Sequence, residues 1–452
     1  MNLKTHRKIK KILFVSPPLL AEKGEFYPDF PTPPLGIAYI SSNADSLDSP
    51  LVKDILDFSF YENWEDIYSE LGKLPDYDLY AFTSMTPNFS NLVKVARYLR
   101  ERRDCLFVIG GSQATIYPGQ VLDLNIFDIC VVNEGEETFR ELISCINSKG
   151  DIAKVKGLWF RDQGGEIRST GVRPYIKDLD TLCFPDWDLL PMKQYIKTFG
   201  DMIFGERGAT AICSRGCVFD CAFCAKDIFQ SELRRRSPEN VIEEVKRLTT
   251  KYQLDTVHFV DDNFTGNNHF IKKFCQLMRE SKLPVQWRCE SRIDMVNAEI
   301  LGIMKEGGCK GIMYGVESGD QQVLDNMNKK LKVERIVNVC EETHRAGISI
   351  GAFIMIGFPG ETRESLRRTI DLVRKIDLNH VALAFATMLP GTKLYKKSTH
   401  GPGKFDINFS TDYHIKNNIK LDQIEFDDLL AAQREIFDIV YGSKGAVGKI
   451  RK

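Results

Sequence analysis

From residue 10 to residue 145, short apolar runs alternate with longer stretches whose apolar positions recur every three or four residues. The runs Lys11–Ser16, Val52–Phe58, Leu79–Ser84, Leu106–Ile109 and Ile129–Val132 have strand length, and several end in Gly, Ser or Pro. Between them, Asn88–Glu101 places Leu92, Val93, Val95, Ala96 and Leu99 on one helical face. This alternation predicts an α/β fold, a parallel, doubly wound Rossmann-like sheet. Ligands of such sheets bind beyond the carboxyl ends of the strands.

The pattern breaks after residue 150. Residues 157–167 read as a hairpin turning at Gly164 and Gly165, followed by a linker dotted with Pro185, Asp186 and Pro191. From about 205 to 395 the alternation resumes with a longer period. Strands are expected at Ala209–Cys213, Thr256–Val260, Val285–Cys289, Lys310–Gly315, Ile348–Gly357 and His380–Thr387. Helices are expected at Pro238–Lys251, Asn268–Ser281, Asn297–Glu306, Val333–Ala346 and Arg363–Ile376. Ser237 as N-cap, Pro238 at the first position and Glu239 in the first turn mark one helix start. Six strand–helix units fall short of an eight-fold barrel, which predicts an open partial (β/α)6 barrel. The expected division is 1–150 for the first sheet, 151–200 for hairpin and linker, 201–398 for the barrel and 399–452 for a tail with one helix, Glu425–Val440.

Of 452 residues, 43% are apolar and 27% charged, as in an ordinary globular protein, and the formal net charge is −1. No sequence-wide basic field gathers nucleic acid or anionic lipid. Arg234, Arg235 and Arg236 form the one notable basic run, which reads as a solvated turn before a helix. The lack of a long apolar span or a signal-peptide core predicts a cytoplasmic protein that does not cross a membrane. Twelve cysteines in a reducing compartment are core residues, metal ligands or reactive thiols. Cys105, Cys130, Cys145, Cys275 and Cys340 stand singly among apolar neighbours and read as core.

Cys217, Cys221 and Cys224 do not. Their C-x3-C-x2-C spacing follows directly on a predicted strand. Iron–sulfur clusters are held by cysteine thiolates a few residues apart, usually four to a cubane. Three on one loop leave one iron open, as a catalytic metal requires. A zinc knuckle would need a fourth ligand; Cys213 lies in a predicted strand, and no histidine follows Cys224 before His258.

With Phe223 before the last cysteine, these residues resemble the radical S-adenosylmethionine superfamily, whose signature is C-x3-C-x-aromatic-C. The resemblance implies a 4Fe–4S cluster on the three cysteines and S-adenosylmethionine chelated to the open iron. It implies reductive cleavage to a 5′-deoxyadenosyl radical, with an external flavodoxin or ferredoxin as electron donor and Phe223 near the adenine. Asp261 and Asp262, at the end of the second barrel strand, would lie against the amino group of S-adenosylmethionine. Glu317 and Ser318, at the end of the fourth, would approach its ribose. Gly357–Thr362 and Leu389–Thr392 end the fifth and sixth strands. Each of these alone also reads as a strand-to-helix turn that uses Gly, Pro and Asp for backbone reasons.

The first 150 residues add a narrower resemblance. Ser84 and Thr86, then Gly110, Gly111, Ser112 and Gln113, then Glu134 and Gly135 are similar to the strand-end loops of the cobalamin-binding domain. The hydroxyls and glycines would let backbone approach a corrin and its nucleotide tail. The loop at residues 16–36 lacks the D-x-H-x-x-G histidine that ligates cobalt from below in mutases; a domain of this fold that binds no corrin is the alternative. Together the two halves resemble class B radical S-adenosylmethionine methyltransferases. The expected activity is radical methylation of an unactivated carbon, or phosphinate phosphorus, in a small metabolite or natural-product precursor. A non-methylating radical reaction on the same scaffold and a non-catalytic cobalamin or cluster sensor are the other readings.

Overall fold

The computed structural model describes residues 8–20, 31–45, 50–202, 206–225, 229, 231–397, 419 and 421–442. The chain divides into two compact units, 1–198 with 225–230 and 399–411, and 199–224 with 231–398 and 412–452.

The first unit holds β1 (Lys11–Ser16), β2 (Val52–Asp57), β3 (Leu79–Thr83), β4 (Leu106–Gly110), β5 (Ile129–Val131), β6 (Leu158–Arg161) and β7 (Ile167–Ser169). They form one sheet in the order β2-β1-β3-β4-β5-β6-β7. The first five strands run parallel, and the hairpin β6–β7 adds to the edge in antiparallel sense. The inner strands β1, β3, β4 and β5 are largely continuous apolar runs because both faces are covered, whereas the edge strand β2 carries Lys53, Asp54 and Asp57. Leu13, Val15, Tyr80, Phe82, Phe107 and Ile109 pack on one side with Leu92, Val95 and Leu99 of the helix Phe89–Arg100. Ile12, Phe14, Leu79, Ala81 and Val108 pack on the other with Ile37, Phe139 and Leu142. From β1 the chain passes first to β2 on one side and then to β3 on the other, so the topological switch point lies between β1 and β3.

The second unit holds β8 (Gly208–Ala211), a two-stranded ribbon of β9 (Ser214–Arg215) and β10 (Arg234–Arg235), then β11 (Thr256–Phe259), β12 (Gln286–Arg292), β13 (Cys309–Glu317), β14 (Ser349–Ile356) and β15 (His380–Phe385). The main sheet has the order β15-β14-β13-β12-β11-β8, all parallel and unclosed, a half-barrel. Helices Pro238–Tyr252, Asn268–Ser281, Ala298–Glu306, Val333–Arg345 and Arg363–Ile376 alternate with the strands. Ser237, Asn267, Asn297 and Thr362 cap four of them by accepting a backbone N–H of the first turn. The β15 edge carries the helix Phe426–Tyr441, whose Tyr441 hydroxyl accepts the Val381 amide at 3.0 Å and lies 2.8 Å from His380 Nδ1.

Two expectations need correction. β12 runs three residues past Cys289, and β13 runs on to Glu317; pairs such as Ser291 with Tyr314 and Arg292 with Gly315 continue the ladder through polar side chains. The Arg234–Arg236 run is not a solvated turn. Arg234 and Arg236 are buried, and Arg236 is paired with the buried Glu244 and donates to the Ile212 carbonyl at 2.9 Å. The Arg236 charge is tolerated this deep because Glu244 neutralises it and its nitrogens also donate to Asn240 and the Ile212 carbonyl. Among the described residues, no helix is long and apolar enough to cross a membrane.

Candidate functional site

Cys217, Cys221 and Cys224 lie on the loop between β9 and β10, which opens at Gly216 with φ +82°. The rest of the half-barrel pins this loop. Ala222 N–H donates to the Met327 carbonyl at 2.8 Å, Leu394 N–H to the Ala222 carbonyl at 2.9 Å, and Asn328 Nδ2 to the Asp220 carbonyl at 2.6 Å. Lys393 pairs with Asp220. Phe223 packs in an apolar cluster with Ala222, Met327 and Phe358. Cys221 is buried, and Arg292 Nη1 lies 3.7 Å from its Sγ. Burial raises the Cys221 thiol above its ordinary value, while Lys329 and then Arg292 pull the other way.

The predicted S-adenosylmethionine residues take different places. Asp261 is fully buried; it accepts the Cys213 amide at 3.1 Å, the Cys213 thiol at 3.2 Å and the Ser214 hydroxyl. Its carboxylate thus ties β11 to the start of the cysteine loop. Asp262, its neighbour, is exposed. Ser318 is also spent within the protein, 3.2 Å from the Thr369 hydroxyl and accepting the Asp320 amide at 3.1 Å. Glu317 differs: it has φ +65°, and its Oε1 is 2.7 Å from Lys329 Nζ, with both side chains buried. A Cβ on Gly315 would fall 2.7 Å from that Nζ, so the glycine makes room for the pair. Lys329 Nζ also stands 5.8 Å from the Phe223 ring centroid. Glu361 bonds to the Gly357 amide, and burial pushes its carboxyl up to about 7 against that bond. Glu290 on β12 is pushed up to about 8 by burial, then by Asp261 and Asp262; His258 on β11, 3.6 Å away, is pushed down to about 4 by burial, then by Arg288 and His380.

Sequence reasoning missed Arg292 and Lys329. Their one local sign is charge where an apolar strand should end or a turn begin: Asn328 and Lys330, flanking Lys329, both have positive φ.

In the first unit, the loops after β3 and β4 meet. Thr86 Oγ1 donates to Gln113 Oε1 at 2.9 Å, and Gln113 N–H to the Ser84 carbonyl at 3.4 Å. Ser84 Oγ and Gln113 Nε2 are buried without a protein partner. Gly110 is not needed for space, since a Cβ there meets only an ordinary contact at 3.6 Å from the Val131 carbonyl. Gly111, before the short Ser112–Ile116 helix, has φ +90°, and a Cβ there would lie 2.4 Å from the Ser84 carbonyl oxygen. Its freedom therefore serves the protein's own backbone and does not leave open space for a nucleotide tail. Glu134 accepts the Ile176 amide at 2.8 Å, and a Cβ on Gly135 would lie 2.9 Å from Ile40 Cδ1; both help to pack the loop after β5.

Residues 211–373 match the Radical SAM superfamily, and residues 28–143 match the B12 binding domain. An uncharacterized methyltransferase of Pyrococcus horikoshii is 31% identical over 398 residues, covering 86% of this chain and 83% of that protein. The chain belongs to the class B radical S-adenosylmethionine methyltransferase family. Within this cobalamin-binding radical family, cytidylyl-2-hydroxyethylphosphonate methyltransferase of Streptomyces wedmorensis is 26% identical over 444 residues, covering 86% of this chain and 82% of its own. In fold, the radical S-adenosylmethionine methyltransferase TsrM of Kitasatospora setae matches with TM-score 0.68 at 15% identity, over 85% of this chain and 74% of that one. The cobalamin-dependent S-adenosylmethionine radical enzyme OxsB matches with TM-score 0.68 at 18% identity, over 86% and 55%.

The cofactors of this radical S-adenosylmethionine enzyme are a 4Fe–4S cluster, S-adenosylmethionine and cobalamin. Its residues fit them. No three His, Cys, Asp or Glu side chains among the described residues converge on a single ion, but a cubane takes one thiolate per iron and needs no such convergence. The cations Arg292 and Lys329 beside Cys221 suit a group of thiolates. The unpartnered Ser84 Oγ and Gln113 Nε2, at strand ends beside the switch point, suit a polar ligand.

Proposed function

We propose that this enzyme transfers a methyl group to an unactivated carbon, or a phosphinate phosphorus, of a small metabolite or natural-product precursor. The observation that carries this is the methyltransferase relative at 31% identity, matched over 86% of this chain and so across both of its halves. When bound, the cofactors supply reductive cleavage of S-adenosylmethionine and a carrier for the methyl group. The chain's part is position and electrostatics. Cys217, Cys221 and Cys224 would hold the cluster on a loop already fixed by Met327, Asn328 and Leu394. Phe223 would offer a ring to the adenine, and Glu317 with Lys329 would present a buried charged pair to S-adenosylmethionine. Ser84, Thr86 and Gln113 would meet polar groups of cobalamin. An external flavodoxin or ferredoxin would supply electrons.

Anaerobic turnover with reductant, cobalamin and S-adenosylmethionine carrying a deuterated methyl group tests the proposal, using metabolites that accumulate in a strain lacking the enzyme. Methylation adds one labelled methyl to the product and yields both S-adenosylhomocysteine and 5′-deoxyadenosine. A product without the label, formed with 5′-deoxyadenosine alone, would overturn it. That outcome would favour a non-methylating radical reaction. This second reading is supported by the anaerobic magnesium-protoporphyrin IX monomethyl ester cyclase of Cereibacter sphaeroides, 30% identical over 373 residues, covering 79% of this chain and 59% of that protein.

A further inference from the structure

Arg292 is used on every side. It ends β12, and its side chain is 5% exposed. Nε and Nη2 donate to the two oxygens of Asp294, at 3.0 and 2.8 Å, and Nη2 also donates to the Lys329 carbonyl at 2.8 Å. Nη1 points at Cys221 Sγ, 3.7 Å away. Cζ lies 3.7 Å from the centroid of the Phe219 ring. One planar fork therefore joins β12, the turn before Val333 and two residues of the cysteine loop.

We propose that Arg292 is a positioning residue that acts through Cys221, holding its sulfur in place and making the cluster easier to reduce. Asp294 and the Lys329 carbonyl take Nε and Nη2, which leaves Nη1 to face the sulfur. A guanidinium does not lose its proton in proteins, so the positive charge is permanent, and its planar fork resists rotation once Asp294 and the Lys329 carbonyl are bound. Cluster potentials respond to net charge, to hydrogen bonds on sulfur and to solvent exposure. Arg292 acts on all three: it brings a cation, it offers an N–H to Sγ, and its buried side chain packs beside the buried Cys221. Reduction takes one electron from an external low-potential donor and adds one negative charge, which the nearby cation stabilises. Asp294 offsets part of that charge but lies on the opposite edge of the fork. Lys329, the other cation near Cys221, is committed to Glu317 at 2.7 Å, so Arg292 is the one aimed at sulfur.

The inference rests on Cys221 being a cluster ligand, and a separate measurement tests that: iron should be lost when Cys217, Cys221 and Cys224 are all changed to Ala. For Arg292 the readout is the cluster midpoint potential, from an anaerobic titration of the full-length, iron-loaded protein followed by electron paramagnetic resonance. Arg292→Gln should keep about four irons per chain. At a fixed poise its ratio of reduced to oxidised cluster should fall about tenfold, equivalent to about 59 mV for a one-electron couple. An iron-replete Arg292→Gln protein with the wild-type midpoint would overturn the proposal. Should that variant lose iron, Asp294→Asn decides. It removes the carboxylate that offsets the Arg292 charge, so the midpoint should rise, and a midpoint unchanged or lowered there also overturns the proposal.

Discussion

Replacing Gly111 by alanine pits two demands on one residue against each other. The backbone there has φ +90° and ψ −176°, a region essentially restricted to glycine. Forcing a side chain into it costs about 1–3 kcal/mol. The added Cβ would also lie 2.4 Å from Ser84 O and 2.9 Å from Ser84 N, both backbone atoms that no rotamer change can move. Overpacking of that kind adds about 1–3 kcal/mol, for a total of about 2–6 kcal/mol. Gly165 is the internal control: its φ is +85°, but nothing lies within 4 Å of its Cβ, so Gly165→Ala should show the backbone cost alone. The assay is hydrogen exchange on the intact protein, read at the amides joining the β3 and β4 loops, such as Ser84 N–H to the Gly110 carbonyl. Gly111→Ala should lose protection there without any cobalamin present. Wild-type protection combined with loss of corrin absorbance would refute this reasoning and return Gly111 to the cofactor.

Three further outcomes follow from the same geometry. Lys329→Met should destabilise the second unit by about 3–5 kcal/mol, because it leaves Glu317 buried and unpaired; denaturant unfolding measures it, and a change under about 1 kcal/mol would show the pair to be solvated. Glu290 holds a proton in the folded chain up to about pH 8 that the unfolded chain releases near 4.5, so its burial costs stability as pH rises through that window. Glu290→Gln should therefore gain on wild type between those two pH values, and a constant difference across them would contradict the assignment. With no histidine at residues 16–36, bound cob(II)alamin should show no nitrogen hyperfine splitting from a lower ligand; a clear splitting would place a protein or nucleotide nitrogen there.

Strands such as β1, β3, β4 and β14 were legible because parallel strands covered on both faces are largely apolar runs. The same rule failed where chemistry begins. Glu290, Ser291 and Arg292 continue β12, and Val316 and Glu317 continue β13, yet their polar side chains end the apolar pattern early. Local spacing exposed the three cysteines, since all lie on one loop. Arg292 and Lys329 reach that loop from β12 and from the turn before Val333, and no spacing in sequence records such a meeting. The arginine run misled for a related reason. Charge predicts solvent unless a partner is known, and Glu244 stands on the following helix. Gly111 was legible as a special glycine, but a close approach to a ligand and a close approach to Ser84 leave the same mark in sequence.

The cysteine loop and the β3–β4 loops are built differently. Several polar groups around the cysteine loop are held by protein partners: Asp261 takes Cys213 and Ser214, Asn328 takes the Asp220 carbonyl, and Arg292 takes Asp294 and the Lys329 carbonyl, although Arg235 Nε on β10 and Glu361 Oε1 are buried without one. Such a loop is set by the half-barrel itself, so its thiols would meet a cluster at little further cost in ordering. Ser84 Oγ and Gln113 Nε2 are buried with no protein partner, each at a cost of about 1–3 kcal/mol. Such a cost persists in a folded protein where something recovers it, and here the two atoms stand at strand ends beside the switch point of a B12-binding sheet. On the proposed function the pinned cysteine loop and the unmet hydrogen bonds of Ser84 and Gln113 would serve different tasks: one loop would hold reactive sulfur still, and the other would bind a large polar cofactor.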